Sequence, residues 1–276
     1  MAQDAPVDPV APAFAGDTAR YYARYRRPYP SELIEHLRRF GRGGQGRLLD
    51  LGCGTGQLLL QLAGFFDHCI GIDSEPDMLN EAARLARERR IGNAEWIQTS
   101  SSDLDLESQL GLADLVTIGT AFHFMEPQAT LRALMRLVRE GGAVAVAYNG
   151  SPMWLHPDPW ARTLRRVLES HLGSVRDLDV SAEGLRACEL TMLDLGYTSI
   201  ERWEHTYEST IGIDFIIGHI FSALSPTQIP PEQRPDFEKQ VRQEIAGIAP
   251  AGSVTETVAV RAVIGQIPAA TARHRF

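Results

Sequence analysis

The stretch Arg47-Leu48-Leu49-Asp50-Leu51-Gly52-Cys53-Gly54-Thr55-Gly56 decides the fold. RLLDLG (47–52) is a short apolar run that ends in glycine, and QLLLQLAGFF (57–66) follows with helical character. The segment therefore reads as strand, glycine turn and helix. Glycines at every second position after a strand let the backbone approach a ligand at the carboxyl edge of a sheet, where open α/β sheets bind their ligands. Moving outward, CIGID (69–73) predicts a second strand and 75–90 a helix, with Ser74 as N-cap and Pro76 in its first turn. Strands at 94–98, 113–119 and 142–149, with a helix near 127–139, continue the alternation. Such a rhythm specifies a parallel sheet covered on both faces.

Spacing then discriminates between ligands. A dinucleotide fingerprint needs G-x-G-x-x-G, but counted from Gly52 the third glycine falls on Gln57, and no phosphate-loop lysine follows. Asp50 would repel a pyrophosphate and suits an ammonium group instead. Asp73, at the end of the second strand, is placed to accept hydrogen bonds from both hydroxyls of a ribose. Together these residues describe a site for a nucleoside joined to a cationic amino acid.

The LLDLGCGTG segment followed by GID (71–73) resembles motif I and the next acidic strand end of class I S-adenosylmethionine-dependent methyltransferases. The resemblance implies a Rossmann-like α/β fold: a seven-stranded, mostly parallel sheet with an antiparallel edge strand and a helical cap insertion. It implies S-adenosylmethionine as cofactor, with Gly52, Gly54, Gly56 and the adjoining Gln57 admitting the methionyl part. It places Asp73 and Ser74 at the ribose, and Met78 near the adenine or ribose. The loop TSSSDLD (99–105) lies where the family often has an acid beside adenine, so Ser101, Ser102 and Asp103 join the candidate cofactor residues. Gly119-Thr120-Ala121-Phe122-His123-Phe124-Met125 is similar to the FHW segment of many small-molecule methyltransferases, which implies Thr120 near the methionyl ammonium and His123 near the transferable methyl.

Ahead of the glycine turn, YYARYRRPYP (21–30) resembles the Y-x-x-Y-R-P-x-Y-P lead-in of this subgroup, with Arg27 where the pattern has proline. As a lid, Tyr21 and Tyr25 offer aromatic faces and hydroxyls to a sulfonium, and Arg26 suits the methionyl carboxylate. Packing of the tyrosines onto the core is the competing reading. After Asn149 the strand–helix rhythm breaks, and 150–195 reads as a helical cap for the acceptor, carrying Trp154, His156, Trp160, Glu169 and His171. An apolar acceptor with one polar anchor fits that mixture. His123 or His156 is the expected base. In the alternative of C-methylation on a prenyl chain, Glu169 takes the proton and Arg162, Arg165 and Arg166 hold a diphosphate, the one case that would bring in Mg²⁺. A further alternative is a non-catalytic protein that senses the cofactor. No other metal is expected.

The remaining sequence organises around these parts. Residues 1–16 are a Pro/Ala-rich stretch expected to be a mobile arm, 17–45 a helical lid, 46–149 the cofactor-binding core, 196–265 the rest of the core sheet, and 266–276 a tail. The 276 residues, 44% hydrophobic and 22% charged, can bury a large core. A net charge of -8 and a single lysine, Lys239, argue against a nucleic-acid partner and leave a small-molecule acceptor. Cys53, Cys69 and Cys188 form no disulfide or zinc pattern. With no secretory signature and no 18-residue apolar run, a cytoplasmic protein without membrane insertion is expected, and a homodimer stays open.

Overall fold

Strand β1 (Arg47–Leu51) is buried along nearly its whole length, as its apolar run predicts. The computed structural model describes residues 16–100, 110–175, 180–225 and 227–268. Around β1 assemble β2 (His68–Asp73), β3 (Ala94–Gln98), β4 (Ala113–Gly119), β5 (Val138–Asn149), β6 (Thr198–Gly212) and β7 (Ser253–Gln266). They form one seven-stranded sheet in the order β3-β2-β1-β4-β5-β7-β6. The first five strands pair in parallel, and β7 runs antiparallel to both β5 and β6.

Successive side chains of a strand point to opposite faces, so each strand feeds two cores. Leu49, Leu51, Val116, Ile118, Val144 and Val146 join one cluster. It is covered by α5 (Pro127–Leu137) and α7 (Val180–Leu195). Leu48, Leu115 and the small residues Ala143, Ala145 and Ala147 face the other cluster. There α2 (Ser31–Leu37) and the short α3 (Leu59–Leu62) lie against the sheet. Helix α4 (Pro76–Glu88) connects β2 to β3.

Three details differ from the sequence reading. The helix expected over 57–66 is one α-helical turn, Leu59–Leu62, followed by a 3-10 turn at Ala63–Phe65. Ser74 does not cap α4; the N-cap is Glu75, whose N–H donates to Asp73 Oδ1 at 2.9 Å. The helices expected at 150–195 also divide. Helix α7 packs its Leu185, Cys188 and Met192 into the sheet's own core. The cap is α6 (Pro159–Leu172) joined by α8 (Ile213–Ala223) and α9 (Arg234–Ala246), which lie between β6 and β7. These three helices share a separate cluster that includes Trp160, Leu164, Ile216, Ile220, Phe237 and Val241. Position in the sequence could not show this division, because each helix is amphipathic or apolar and the partner decides its allegiance.

Helix α1 (Asp17–Tyr25) docks on α8 through Tyr21, whose ring is 5.2 Å from that of Phe221, and through Tyr25 against Gly218. A Cβ on Gly218 would lie 2.3 Å from the Tyr25 ring. Gly218→Val should therefore push the lid from the cap and destabilise the fold by about 1–3 kcal/mol, the cost of overpacking. Urea unfolding followed by circular dichroism would read this as a lower midpoint with an unchanged slope.

Candidate active site

At the carboxyl end of β1 the chain turns through Gly52, Gly54 and Gly56, at φ +67°, +53° and +76°. A side chain at Gly52 would be strained, and its Cβ would fall 2.6 Å from the Cβ of Ala121 after β4. The ends of β1 and β4 thus approach as backbone. Asp73 latches the turn from β2: Gly54 N–H donates to its Oδ2 at 2.8 Å while Glu75 N–H holds Oδ1. Burial pushes the Asp73 carboxyl above its usual range, and those two backbone donors oppose the shift.

Asp50 lies beneath the turn and is 1% exposed. Thr117 Oγ1 donates to its Oδ1 at 2.7 Å. Burial pushes its pKa up to about 7, with the bond from Thr117 working against the shift and the Asp73 charge adding to it. Cys53 is buried and its thiol is held well above its ordinary value by desolvation, so it offers no thiolate.

Beyond β4, Thr120 takes φ +54°, a conformation unusual for a residue with a side chain. Its N–H donates to Ala147 O at 2.7 Å, and its Oγ1 lies 3.1 Å from the Tyr29 hydroxyl, so both neighbours hold the backbone there. His123 follows in a short 3-10 turn, with Nδ1 3.4 Å from the Tyr148 hydroxyl and its ring 3.9 Å from that of Phe124.

Two cavities meet across this turn. The smaller, 370 Å³, is lined by Gly54, Asp73, Ser74, Met78 and Ser100 among others. The larger, 590 Å³, lies under the lid and cap and takes in Asp50, Gln57, Arg26, His123 and Trp154. Tyr22, Gly52, Gly119, Thr120 and Phe124 line both. Gly56 lies behind the turn, where a Cβ would meet Leu60 and Trp96. Ser101, Ser102 and Asp103 fall outside the described residues.

Several expected site residues sit elsewhere. Tyr21 and Tyr25 face α8, whereas Tyr22 and Tyr29 line the larger cavity. On a helix, residues four apart share a face, so Tyr21 and Tyr25 go one way and Tyr22 and Arg26 another. The Arg26 guanidinium lies 4.7 Å over the Tyr22 ring and donates through Nε to Ser222 Oγ at 2.9 Å, tying the lid to the cap. His156 is not among the lining residues; its ring neighbours Trp160 at 5.9 Å. Glu169 accepts from Arg165 at 2.8 Å on the same helix, also outside the cavity. Arg162 and Arg166 bond to Pro157 O and Thr163 Oγ1, so no arginine cluster faces the cavity from α6. Among the described residues no three His, Cys, Asp or Glu side chains group as metal ligands. His219, in the larger cavity, escaped the sequence reading because it sits in the apolar run IGIDFIIGHIFSAL, which looks like core.

The glycine turn, the acid ending β2 and the sheet order resemble those of class I S-adenosylmethionine-dependent methyltransferases, and comparisons with known proteins find methyltransferases. Residues 48–142 match the family model of a methyltransferase domain. The chain is 28% identical over 133 residues to a probable S-adenosylmethionine-dependent methyltransferase of Saccharomyces cerevisiae, a match covering 48% of this chain and 45% of that protein. It is 25% identical over 220 residues to an uncharacterized methyltransferase of Mycobacterium bovis, covering 78% and 79%. The match thus spans less than half of the yeast relative and about four fifths of the mycobacterial one. A putative type II methyltransferase structure from Anaeromyxobacter dehalogenans shares the fold, with a TM-score of 0.63 at 18% identity over 88% of this chain and 99% of that one.

The residues fit the family's methyl donor, S-adenosylmethionine. One acid, Asp50, lines the larger cavity and another, Asp73, the smaller, and at Gly52, which lines both, a Cβ would meet Ala121 and Met125. Gly52→Val should abolish binding of S-adenosylhomocysteine in calorimetry. Gly64→Ala, where a Cβ meets nothing within 4 Å, should bind as the parent does.

Proposed function

We propose that the chain methylates a small, partly apolar acceptor held in the 590 Å³ cavity, with His123 as the base where the acceptor must lose a proton. The observation carrying this reading is that the two cavities share Gly52, Gly119 and Thr120 in their walls, with His123 on the wall of the larger. The volume lies in the range of small-molecule sites, and Trp154, Leu168, Leu172 and Leu224 from the cap supply the apolar lining.

Bound S-adenosylmethionine supplies a methyl group on a sulfonium, open to in-line displacement. The protein's part is to hold and orient. Asp73 is set to receive the ribose hydroxyls, Met78 and Ser74 to bound the nucleoside, and Asp50 and the backbone at Thr120 to receive the ammonium. Arg26 bonds to Ser222 and not to a carboxylate, which leaves its charge for the methionyl carboxylate. Tyr22 closes the seam between the two cavities. Positioning of this kind can supply roughly 7–11 kcal/mol of a two-substrate barrier.

The prenyl alternative loses support, because Glu169 and the α6 arginines bond to one another or to their own helix's start. A lumen capped by three helices also suits a small acceptor better than a nucleic acid, in keeping with the net charge of -8. No helix among the described residues is long and apolar enough to cross a membrane.

Radiolabelled methyl transfer to an acceptor identified from a compound panel tests the reading. His123→Ala should lose about 10²–10⁴-fold in rate for an acceptor that must be deprotonated. His156→Ala should stay near the parent rate, since His156 does not line the cavity. Binding of the cofactor with no transfer to any compound would favour the sensor instead.

Asp50 gives a pH signature. Burial pushes its pKa up to about 7, so the carboxyl is increasingly ionised, and better able to receive an ammonium, as pH rises through 7. Calorimetry with S-adenosylmethionine from pH 6 to 8 should show affinity rising, and Asp50→Asn should flatten the profile. The sign for folding is opposite: a carboxyl whose folded pKa exceeds its unfolded value of about 4 makes the empty protein lose stability as pH climbs from about 4 to 7.

A further inference from the structure

Among the polar residues of the larger cavity that have no part in the scheme above are Arg27, from the loop after α1, and His219, from α8. His219 is 5% exposed, and its Nδ1 lies 3.2 Å from the carbonyl oxygen of Tyr25. A carbonyl can only accept, so Nδ1 carries the proton, and in the neutral ring Nε2 presents a lone pair. Burial, and then the charges of Arg26 and Arg27, hold the ring's pKa well below its usual value, which keeps it neutral.

Arg27 is fixed from the other side. Its Nε donates to Glu256 Oε1 at 2.7 Å, and its Nη2 bonds to the second oxygen of the same carboxylate. Glu256 itself is 1% exposed on β7. This fork uses one edge of the guanidinium and leaves Nη1 uncommitted. Phe215 links the pair: the Arg27 guanidinium lies 5.4 Å over its ring, which is 6.0 Å from the His219 ring. Both residues line one cavity, His219 with Nε2 as its acceptor and Arg27 with Nη1 as its uncommitted donor.

Few groups answer both. A hydroxyl does, donating its O–H to Nε2 while its oxygen accepts from Nη1. An ether or carboxylate satisfies Arg27 alone and leaves Nε2 facing a lone pair. An ammonium satisfies His219 but adds a cation beside Arg26 and Arg27.

We propose that His219 and Arg27 form a recognition pair that reads a hydroxyl group on the acceptor, which makes the substrate class a hydroxylated, uncharged, largely apolar molecule. The inference rests on the larger cavity being the acceptor site. In its favour, the pair is assembled from the lid, the cap and the sheet, whose joint closure defines that cavity.

The test uses the full chain saturated with S-adenosylhomocysteine and three probes of one shape: 1-naphthol, 1-methoxynaphthalene and 1-naphthylmethylamine. Calorimetry should show naphthol binding at least ~10-fold more tightly than the ether or the amine, the scale of a buried polar pair left unanswered. His219→Phe should reduce that preference to about 2-fold while S-adenosylhomocysteine still binds. Long-range ¹⁵N–¹H spectra of the parent protein, which need no variant, should show His219 protonated at Nδ1, with its Nε2 signal moving on addition of naphthol and not of the ether. Equal affinity for naphthol and ether, failure of naphthol to bind, a preference that survives in His219→Phe, or a proton on Nε2 would each overturn the inference. Failure of S-adenosylhomocysteine itself to bind would instead overturn the methyltransferase reading beneath it.

Discussion

One carboxylate holds the cofactor end of this molecule in register. Asp73 ends β2 and takes the Gly54 N–H of the neighbouring loop on one oxygen and the Glu75 N–H at the head of α4 on the other. Through that side chain, the turn after β1 and the helix after β2 keep fixed positions. A loop so held can present its backbone at Gly52 to the backbone after β4, which no loop carrying a side chain there could do. Every other contact that defines the site inherits this placement: Asp50 beneath the turn, Thr120 opposite it and the two cavities on either side.

The portion of the fold legible in the sequence follows from where its signals are local. The apolar runs at 47–51, 69–73 and 113–119 are short, bounded by glycine or acid, and buried on both faces, so pattern alone identifies them as parallel strands. The placement of Asp50, Gly52 and Asp73 at the cavity walls was legible for the same reason, since it follows from their distance from a strand end. Helix α7 and the pair α8–α9 were not, because an amphipathic helix says that it has a partner and not which one. Tyr21 and Tyr25 illustrate a smaller error of the same kind: the tyrosine-rich segment announces an aromatic lid, but a helical register decides which rings face the lumen. His219 was hidden by composition, since a histidine in a run of Ile and Phe resembles core until its unbonded nitrogen is located.

The lid and the cap are not independent covers. Arg26 bonds to Ser222, Tyr25 fills the space that a side chain at residue 218 would take, and Tyr21 rests on Phe221. The same short helix therefore bears on both cavities, through Tyr22, and on the cap. Arg27 extends the link into the sheet through Glu256, a buried pair whose separation would strand a charge away from water. The tyrosine-rich segment thus acts as a clasp joining sheet and cap.

The last two strands carry a consequence of their length. With 15 and 14 residues, β6 and β7 outrun the parallel part of the sheet and bear α8 and α9 between their far ends. The smaller cavity lies at the opposite half of the sheet, at the tips of β1, β2 and β4. One wall of the larger cavity, from His219 to Gln228, is thus mounted on a paired arm of its own. Such a layout lets the lumen diverge in shape and polarity through changes beyond the arm while the donor end stays constant, so that relatives with a common core are free to serve unlike substrates.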